Sequence, residues 1–106
     1  MDESQQFAAL GHPLRLKVFR LVISVGEEGI AAGDIATELG VPASTLSSHL
    51  KTLQQVGLLQ STRQQQKLIY TISHESVRKM IDFLVNDCCQ SQPALCGLDL
   101  KGQDSD

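Results

Sequence analysis

The stretch that decides the fold runs from Leu39 to Leu53 and reads LGVPASTLSSHLKTL. A helix that precedes Gly40 is expected to end there, because glycine readily adopts the left-handed conformation that terminates many helices. Pro42 suits the start of the next helix, whose leucines recur at spacings of four and three residues. These leucines are Leu46, Leu50 and Leu53. Two short helices joined by a tight turn around Gly40 predict a helix-turn-helix.

Two further helices are predicted on the N-terminal side of this motif. The first spans Gln5 to Leu10, and the second begins at Pro13 and ends at Gly26. Apolar residues occupy most sides of the second helix, which predicts that it is central and buried. A short helix from Ala31 to Leu39 then forms the first half of the helix-turn-helix.

A hairpin and a last helix are predicted after the motif. Two runs with strand character, Leu58 to Thr62 and Leu68 to Ile72, flank a polar tip. Ser73 is suited to cap a final helix whose apolar positions form one broad stripe. A helix-turn-helix followed by a two-stranded β-hairpin is a winged helix. The predicted fold class is therefore mainly α (α+β), with helices and a β-hairpin wing.

Length and composition indicate one domain with its own core. The chain has 106 residues, of which 42% are hydrophobic. We expect the domain to cover residues 1–92 and residues 93–106 to form a flexible tail that contributes Cys96. No apolar run is long enough for a membrane helix, and the acidic N-terminus differs from a secretory signal. Three cysteines within nine residues do not make a disulfide framework, so we expect a cytoplasmic protein without membrane association.

Charge is distributed unevenly along the chain. The net charge is −3, yet the window from Leu39 to His74 contains no Asp or Glu and carries three basic residues. The rest of the chain holds 6 basic and all 12 acidic residues, a charge of −6. A basic window in an acidic protein indicates a local surface for anions such as nucleic-acid phosphates.

The second helix of the motif carries a polar face that suits DNA recognition. Its short hydroxyl side chains fit into a major groove about 12 Å wide. Serine and threonine are poor helix formers, so four of them on one exposed face weaken the helix unless they serve a function. We therefore predict that this face and the hairpin tip contact double-stranded DNA. The predicted DNA-binding residues are Ser44, Thr45, Ser47, Ser48, His49, Lys51, Arg63, Gln64, Gln65 and Lys67.

The three histidines occupy different kinds of position. His12 precedes Pro13, and His74 stands at a helix start, so structural roles are expected for both. His49 borders the leucine stripe of the second motif helix. A structural role and a base contact are both open for His49.

Two strings of the sequence resemble the ArsR/SmtB family of metalloregulatory repressors. FAALGHPLRL (7–16) is similar to the family's opening, and residues 39–53, with Gly57-Leu58-Leu59, Arg63 and Tyr70 after them, are similar to its recognition helix and wing. The likeness covers roughly residues 5–85. It implies a homodimeric winged-helix repressor, not an enzyme, whose first and last helices form the dimer interface. Such a repressor binds an inverted-repeat operator and leaves it when an inducer binds.

The wing departs from the family pattern at one position. The family usually has Gly at the wing tip, where this chain has Gln65. Glutamine tolerates a positive φ poorly, so a longer or differently shaped turn is expected. Whether the wing itself contacts DNA therefore stays open.

The resemblance does not identify the inducer, because family members place ligands on different helices. The arsenic site before the recognition helix uses three cysteines, whose counterparts here are Ala31, Gly33 and Ala36. The zinc- and nickel-type site requires Asp and His on the last helix, which has no His beyond His74. Three thiols remain, and thiols favour a soft ion. We predict that trivalent arsenic, or antimony, binds Cys88, Cys89 and Cys96, as in arsenite-responsive members with a C-terminal cysteine trio.

Other interpretations of the cysteines remain open. The thiols could sense oxidants or persulfides, or bind another soft metal such as Cd or Pb. They could also be inert, with Cys88 as a small apolar residue of the last helix. A thiol enzyme is disfavoured, because it needs a Cys-x-x-Cys pair or a cysteine with a positioned base, and Cys88-Cys89 is neither.

Overall fold

The computed structural model describes residues 3–88, with side chains as far as Asn86. The chain divides into two compact units, Met1–His74 and Glu75–Asp106. Its elements, in chain order, are α1 (Glu3–Leu10), α2 (Pro13–Val25), a 3₁₀ turn (Gly26–Glu28), β1 (Ile30–Ala31), α3 (Ala32–Leu39), α4 (Ala43–Gln55), β2 (Leu59–Gln64), β3 (Lys67–Ile72) and α5 (His74–Cys88). This order is that of a winged helix-turn-helix, which confirms the predicted fold class.

The helix boundaries follow from local capping. Gly40 has φ 68°, and its N–H donates to the last carbonyls of α3, so the turn before α4 is as tight as predicted. At the start of α2, His12 accepts a hydrogen bond at Nδ1 from the backbone N–H of Leu14, at 3.1 Å. His12 is thus the N-cap of α2, which confirms a structural role for it.

The core lies where α4 packs against α2 and α3. The three leucines of α4 are buried, as are Val18 and Val22 of α2 and Ile35 of α3. The prediction that α2 is buried on most sides is wrong, because Leu16 is 42% exposed and Ile23 46% exposed. At about 100° per residue, these two side chains point away from the side that carries Val18 and Val22.

The position of α4 is also held by one buried amide. Gln6 of α1 is buried, and its Nε2 donates to the carbonyl of Val56 just beyond the end of α4, at 2.9 Å. A buried amide is costly without a partner. This bond satisfies the amide of Gln6 and ties α1 to the C-terminal end of α4.

The sheet has three antiparallel strands in the order β1-β3-β2. The predicted hairpin is confirmed as β2 and β3, and β1 is an additional strand of two residues. Its register pairs are Ile30 with Tyr70 and Ala31 with Ile69. A strand this short shows no alternation in the sequence, so periodicity did not reveal it.

The expectation of a longer wing turn is wrong. Gln64 lies opposite Lys67, so only two residues form the turn. Gln65 itself takes a left-handed conformation, with φ 58°. That conformation costs a residue with a side chain about 1–2 kcal/mol, which the hydrogen bonds of β2 and β3 offset.

Helix α5 begins at His74, directly after Ser73 as predicted. Met80 and Val85 are buried on it, while Ile81 and Leu84 are each 46% exposed. No helix within residues 3–88 has the length and apolar character needed to cross a lipid bilayer. The predicted domain boundary at residue 92 and the predicted tail 93–106 lie outside the described residues.

Candidate nucleic-acid interface

The face of α4 opposite the leucine stripe is polar and open to solvent. Within residues 3–88, five side chains of this face form no hydrogen bond or ion pair, whereas Thr52 donates its hydroxyl to the carbonyl oxygen of Ser48 at 3.0 Å. These five are exposed and available to a ligand, and His49 is half-buried beside them. The exposed members are Ser44, Thr45, Ser47, Ser48 and Lys51.

The N-terminal end of α4 adds a favourable potential for anions. Pro42 precedes the helix with extended backbone and no side-chain cap, and the first turn contains no acidic residue. Helix N-termini carry a partial positive charge and free N–H groups that attract phosphate. The first turn thus presents the small polar side chains of Ser44 and Thr45 together with this charge.

The wing supplies two cations on the hairpin. Arg63 and Lys67 are exposed, as are Gln64 and Gln65 beside them. Among the described residues, an ion pair joins Lys79 to Glu75 on α5, at 3.6 Å, and none involves Arg63 or Lys67. The charges of the wing and of Lys51 are therefore not neutralised within the described part of the chain.

His49 is half-buried at the edge of this face. Its ring lies 4.5 Å from that of His12, centroid to centroid, at an angle of 40°. Its Nδ1 is buried and has no hydrogen-bond partner among the described residues. Burial lowers the pKa of His49 below its usual value of 6.5, and His12 and Arg15 lower it further. Sequence reasoning missed this contact, since no periodicity links residues 37 positions apart.

The cysteines fall at or beyond the end of the described chain. Cys88 is the last residue of α5, and its side chain, like Cys89 and Cys96, lies outside the described residues. Among the described residues, no group of three or more His, Cys, Asp or Glu could hold a metal ion. The DNA-binding residues and the cysteine site therefore remain predictions.

The second helix of this helix-turn-helix is polar and carries no carboxylate, and a basic hairpin accompanies it. These features define the class of winged-helix DNA-binding proteins. A family model described as a helix-turn-helix domain matches residues 10–62. The E. coli K12 HTH-type transcriptional regulator YgaV is 36% identical over 81 residues, which cover 76% of this chain and 80% of that protein.

Solved structures agree with this likeness. A homodimeric winged helix-turn-helix domain of Mb0332 from Mycobacterium bovis, described as a possible ArsR-family regulator, is 27% identical with a TM-score of 0.64. It aligns over 84% of this chain and 79% of its own. Reduced HlyU from Vibrio cholerae is 25% identical with a TM-score of 0.63, over 78% of this chain and 84% of its own. The chain belongs to the ArsR family of winged helix-turn-helix transcriptional regulators, a family of DNA-binding regulators rather than enzymes.

Proposed function

We propose that the chain is a cytoplasmic repressor that binds an inverted-repeat operator as a homodimer, with α4 in the major groove and the wing beside it. The observation that carries this proposal is the exposed face of α4. Its four exposed hydroxyl side chains and Lys51 have no partner within the described chain. Short polar side chains near the start of a recognition helix reach base edges, while cations hold phosphates and set the register.

The dimer is proposed to form through α1 and α5. Ile81 and Leu84 are large apolar side chains on α5 that are nearly half exposed. The homodimeric state of the M. bovis relative supports a two-fold arrangement. Such a dimer can place its two recognition helices about 34–36 Å apart, in successive major grooves on one side of the duplex.

This interface predicts a steep salt dependence. Each protomer offers Lys51, Arg63, Lys67 and one of Arg15 or Arg20 to phosphates, so a dimer neutralises about 6–8 of them and the slope of log K against log salt is about −5 to −7. Fluorescence anisotropy between about 50 and 200 mM KCl determines the slope. A slope near zero would contradict the proposed surface.

We further propose that the inducer is trivalent arsenic or antimony, bound by the thiolates of Cys88, Cys89 and Cys96. Three thiols are the donor set that a soft three-coordinate ion prefers. Cys88 ends the helix assigned to the dimer interface, so a ligand there can change the spacing of the recognition helices. Allosteric coupling is typically about 1–3 kcal/mol, and near-complete release needs the upper end of that range.

A thiol-based redox or persulfide sensor is the second candidate. It is favoured by the solved relative HlyU, which is described in a reduced form. In such a sensor, the cysteines form sulfenic acid, a disulfide or a persulfide, and no metal is needed. The two candidates differ in the state of the thiols when DNA is released.

The experiment that separates them is a DNA-release titration under full reduction. The duplex is an operator selected from random sequences, and the ligands are arsenite, antimonite, Cd²⁺, Pb²⁺ and Zn²⁺, with peroxide and a persulfide donor in parallel without reductant. We expect arsenite and antimonite to weaken binding of the reduced protein about 10- to 100-fold. Replacing all three cysteines by Ser should abolish this release. Release by arsenite from that triple variant would exclude the cysteine site, and release only by oxidant or persulfide would favour the second candidate.

A further inference from the structure

Three nitrogen-bearing side chains meet beside α4, and we call His12, Arg15 and His49 the edge cluster. The two imidazole rings are 4.5 Å apart. Arg15 lies close enough for its charge to act on His49. Its Nε donates to the carbonyl of Ala9 at 2.8 Å, which holds the guanidinium near the end of α1. No member has an ion-pair partner within residues 3–88.

His12 and Arg15 are the outer members of the edge cluster, and each has an N–H group that can donate to an anion. Because Nδ1 of His12 accepts the N–H of Leu14, the proton of the neutral ring is on Nε2. His12 is exposed, so this N–H can donate to an anion. The terminal amino groups of Arg15 have no hydrogen-bond partner within the described residues, and a guanidinium pairs well with phosphate oxygens.

His49 is the inner member of the edge cluster, and a positive charge on its ring lacks a compensating negative group among the described residues. Its Nδ1 is buried without a partner among the described residues, its ring lies 4.5 Å from that of His12, and the charge of Arg15 acts on it. Among the described residues, the charged or titratable groups that shift its pKa are His12 and Arg15, and neither is a carboxylate. An external anion is therefore what would stabilise the protonated ring.

The cluster lies alongside the proposed recognition surface. His49 follows Ser48 directly, and Thr45 stands one turn before it on α4. An open groove between α1, α2 and the end of α4 continues from Arg15, and its lining contains no acidic side chain. The groove is lined by Gln5, Ala8, Ala9, Arg15, Thr52, Gln55 and Val56. A DNA strand that passes along this edge of α4 can bring a phosphate to the cluster.

We propose that the edge cluster binds a phosphodiester of the DNA backbone, and that DNA affinity therefore rises as the pH falls from 8 to 6. This inference rests on the proposed function, because it places the phosphate beside α4. It extends the proposed α4 surface to His12 and Arg15 at the start of α2 and makes that phosphate contact dependent on proton concentration.

The direction of the effect follows from linkage. In the free protein, burial and two neighbouring groups hold the pKa of His49 below 6.5. A bound phosphate raises that pKa in the complex, so a proton is taken up on binding. The gain in affinity is full at low pH and is lost as the pH rises through the pKa of the complex. A pKa that is one unit higher in the complex strengthens binding at most tenfold for each cluster. The two clusters of a dimer, each only partly protonated at pH 6, should together give about tenfold tighter binding at pH 6 than at pH 8.

The test uses anisotropy with a random-sequence 30-base-pair duplex at constant low salt, since a phosphate contact does not depend on sequence. The wild-type chain should show the roughly tenfold difference between pH 6 and pH 8. His49→Gln should flatten it to less than about twofold. His12→Asn keeps an N-cap acceptor but removes the ring, and it should weaken binding at both pH values. His74→Gln is the matched control, because His74 is an exposed histidine on α5, and it should retain the wild-type profile.

The possible results distinguish a failure of the edge cluster as a phosphate site from a failure of the proposed DNA-binding function. Equal wild-type affinity at both pH values, tighter binding at pH 8, or a His49→Gln profile like that of the wild type would overturn the edge cluster as a phosphate site. Thermal melting at both pH values shows that each variant is folded. A folded wild-type chain that does not bind the duplex at either pH would contradict the proposed function itself.

Discussion

Replacing Ser48 by Glu is expected to weaken operator binding about 100-fold while leaving the protein folded. Ser48 is exposed in the middle of the α4 face, so a carboxylate there meets the phosphates that flank the major groove. Repulsion of about 1–2 kcal/mol in each protomer gives about 100-fold for a dimer. Glutamate is a better helix former than serine, so the free energy of unfolding should not fall. Anisotropy with the selected operator and urea unfolding measure the two quantities.

Ser24→Glu is the matched control for this substitution. Ser24 is exposed near the end of α2 and lies outside the acid-free window, and the change in net charge is the same. It should reduce operator affinity no more than about threefold. Equal losses in the two variants would mean that net charge alone controls binding, and the assignment of α4 as the DNA-reading helix would be wrong.

Replacing Gly29 by Ala is expected to destabilise the fold by about 3 kcal/mol. Gly29 has φ +75°, and an added Cβ would lie 2.6 Å from Cγ2 of Ile69 and 2.8 Å from both Cγ2 of Thr71 and the carbonyl oxygen of Tyr70. A side chain can rotate away, but the carbonyl belongs to β3, the central strand of the sheet. Either β3 or the segment that leads into β1 must move.

Gly26 provides a control for the backbone alone. It has φ +78° and ψ −153°, a combination that is nearly confined to glycine, but nothing within 4 Å of an added Cβ. Gly26→Ala therefore carries the conformational strain without the collision and should cost about 2 kcal/mol. Urea unfolding of both variants at one protein concentration measures the difference, since a dimer's stability depends on concentration. A Gly29→Ala variant as stable as Gly26→Ala would show that the sheet accommodates the methyl group.

Elements with regular periodicity could be predicted from the sequence. The spacing of Leu46, Leu50 and Leu53 identified α4, and all three are buried. Gly40 and Pro42 marked the turn before it, because their backbone preferences restrict where a helix ends and the next begins. These local signals sufficed for the winged helix and for the polar face of α4.

Features that depend on tertiary packing could not be predicted in the same way. The pairing of β1 with β3 and the contact between His12 and His49 join distant parts of the chain. On α2, apolar composition alone could not show that Leu16 and Ile23 face outward while Val18 and Val22 form the core. At Gln65, a residue preference was overridden, because the paired strands fix the two-residue turn.

The most direct test of the central claim is selection of bound duplexes from a random DNA library, followed by sequencing. If a dimer reads DNA through α4, the selected sequences should converge on an inverted repeat with half-site centres about 10–10.5 base pairs, or a multiple of that, apart. Selection with the Ser48→Glu variant should fail to enrich this repeat. Absence of any enriched repeat with the wild-type chain, or the same repeat with Ser48→Glu, would contradict the account.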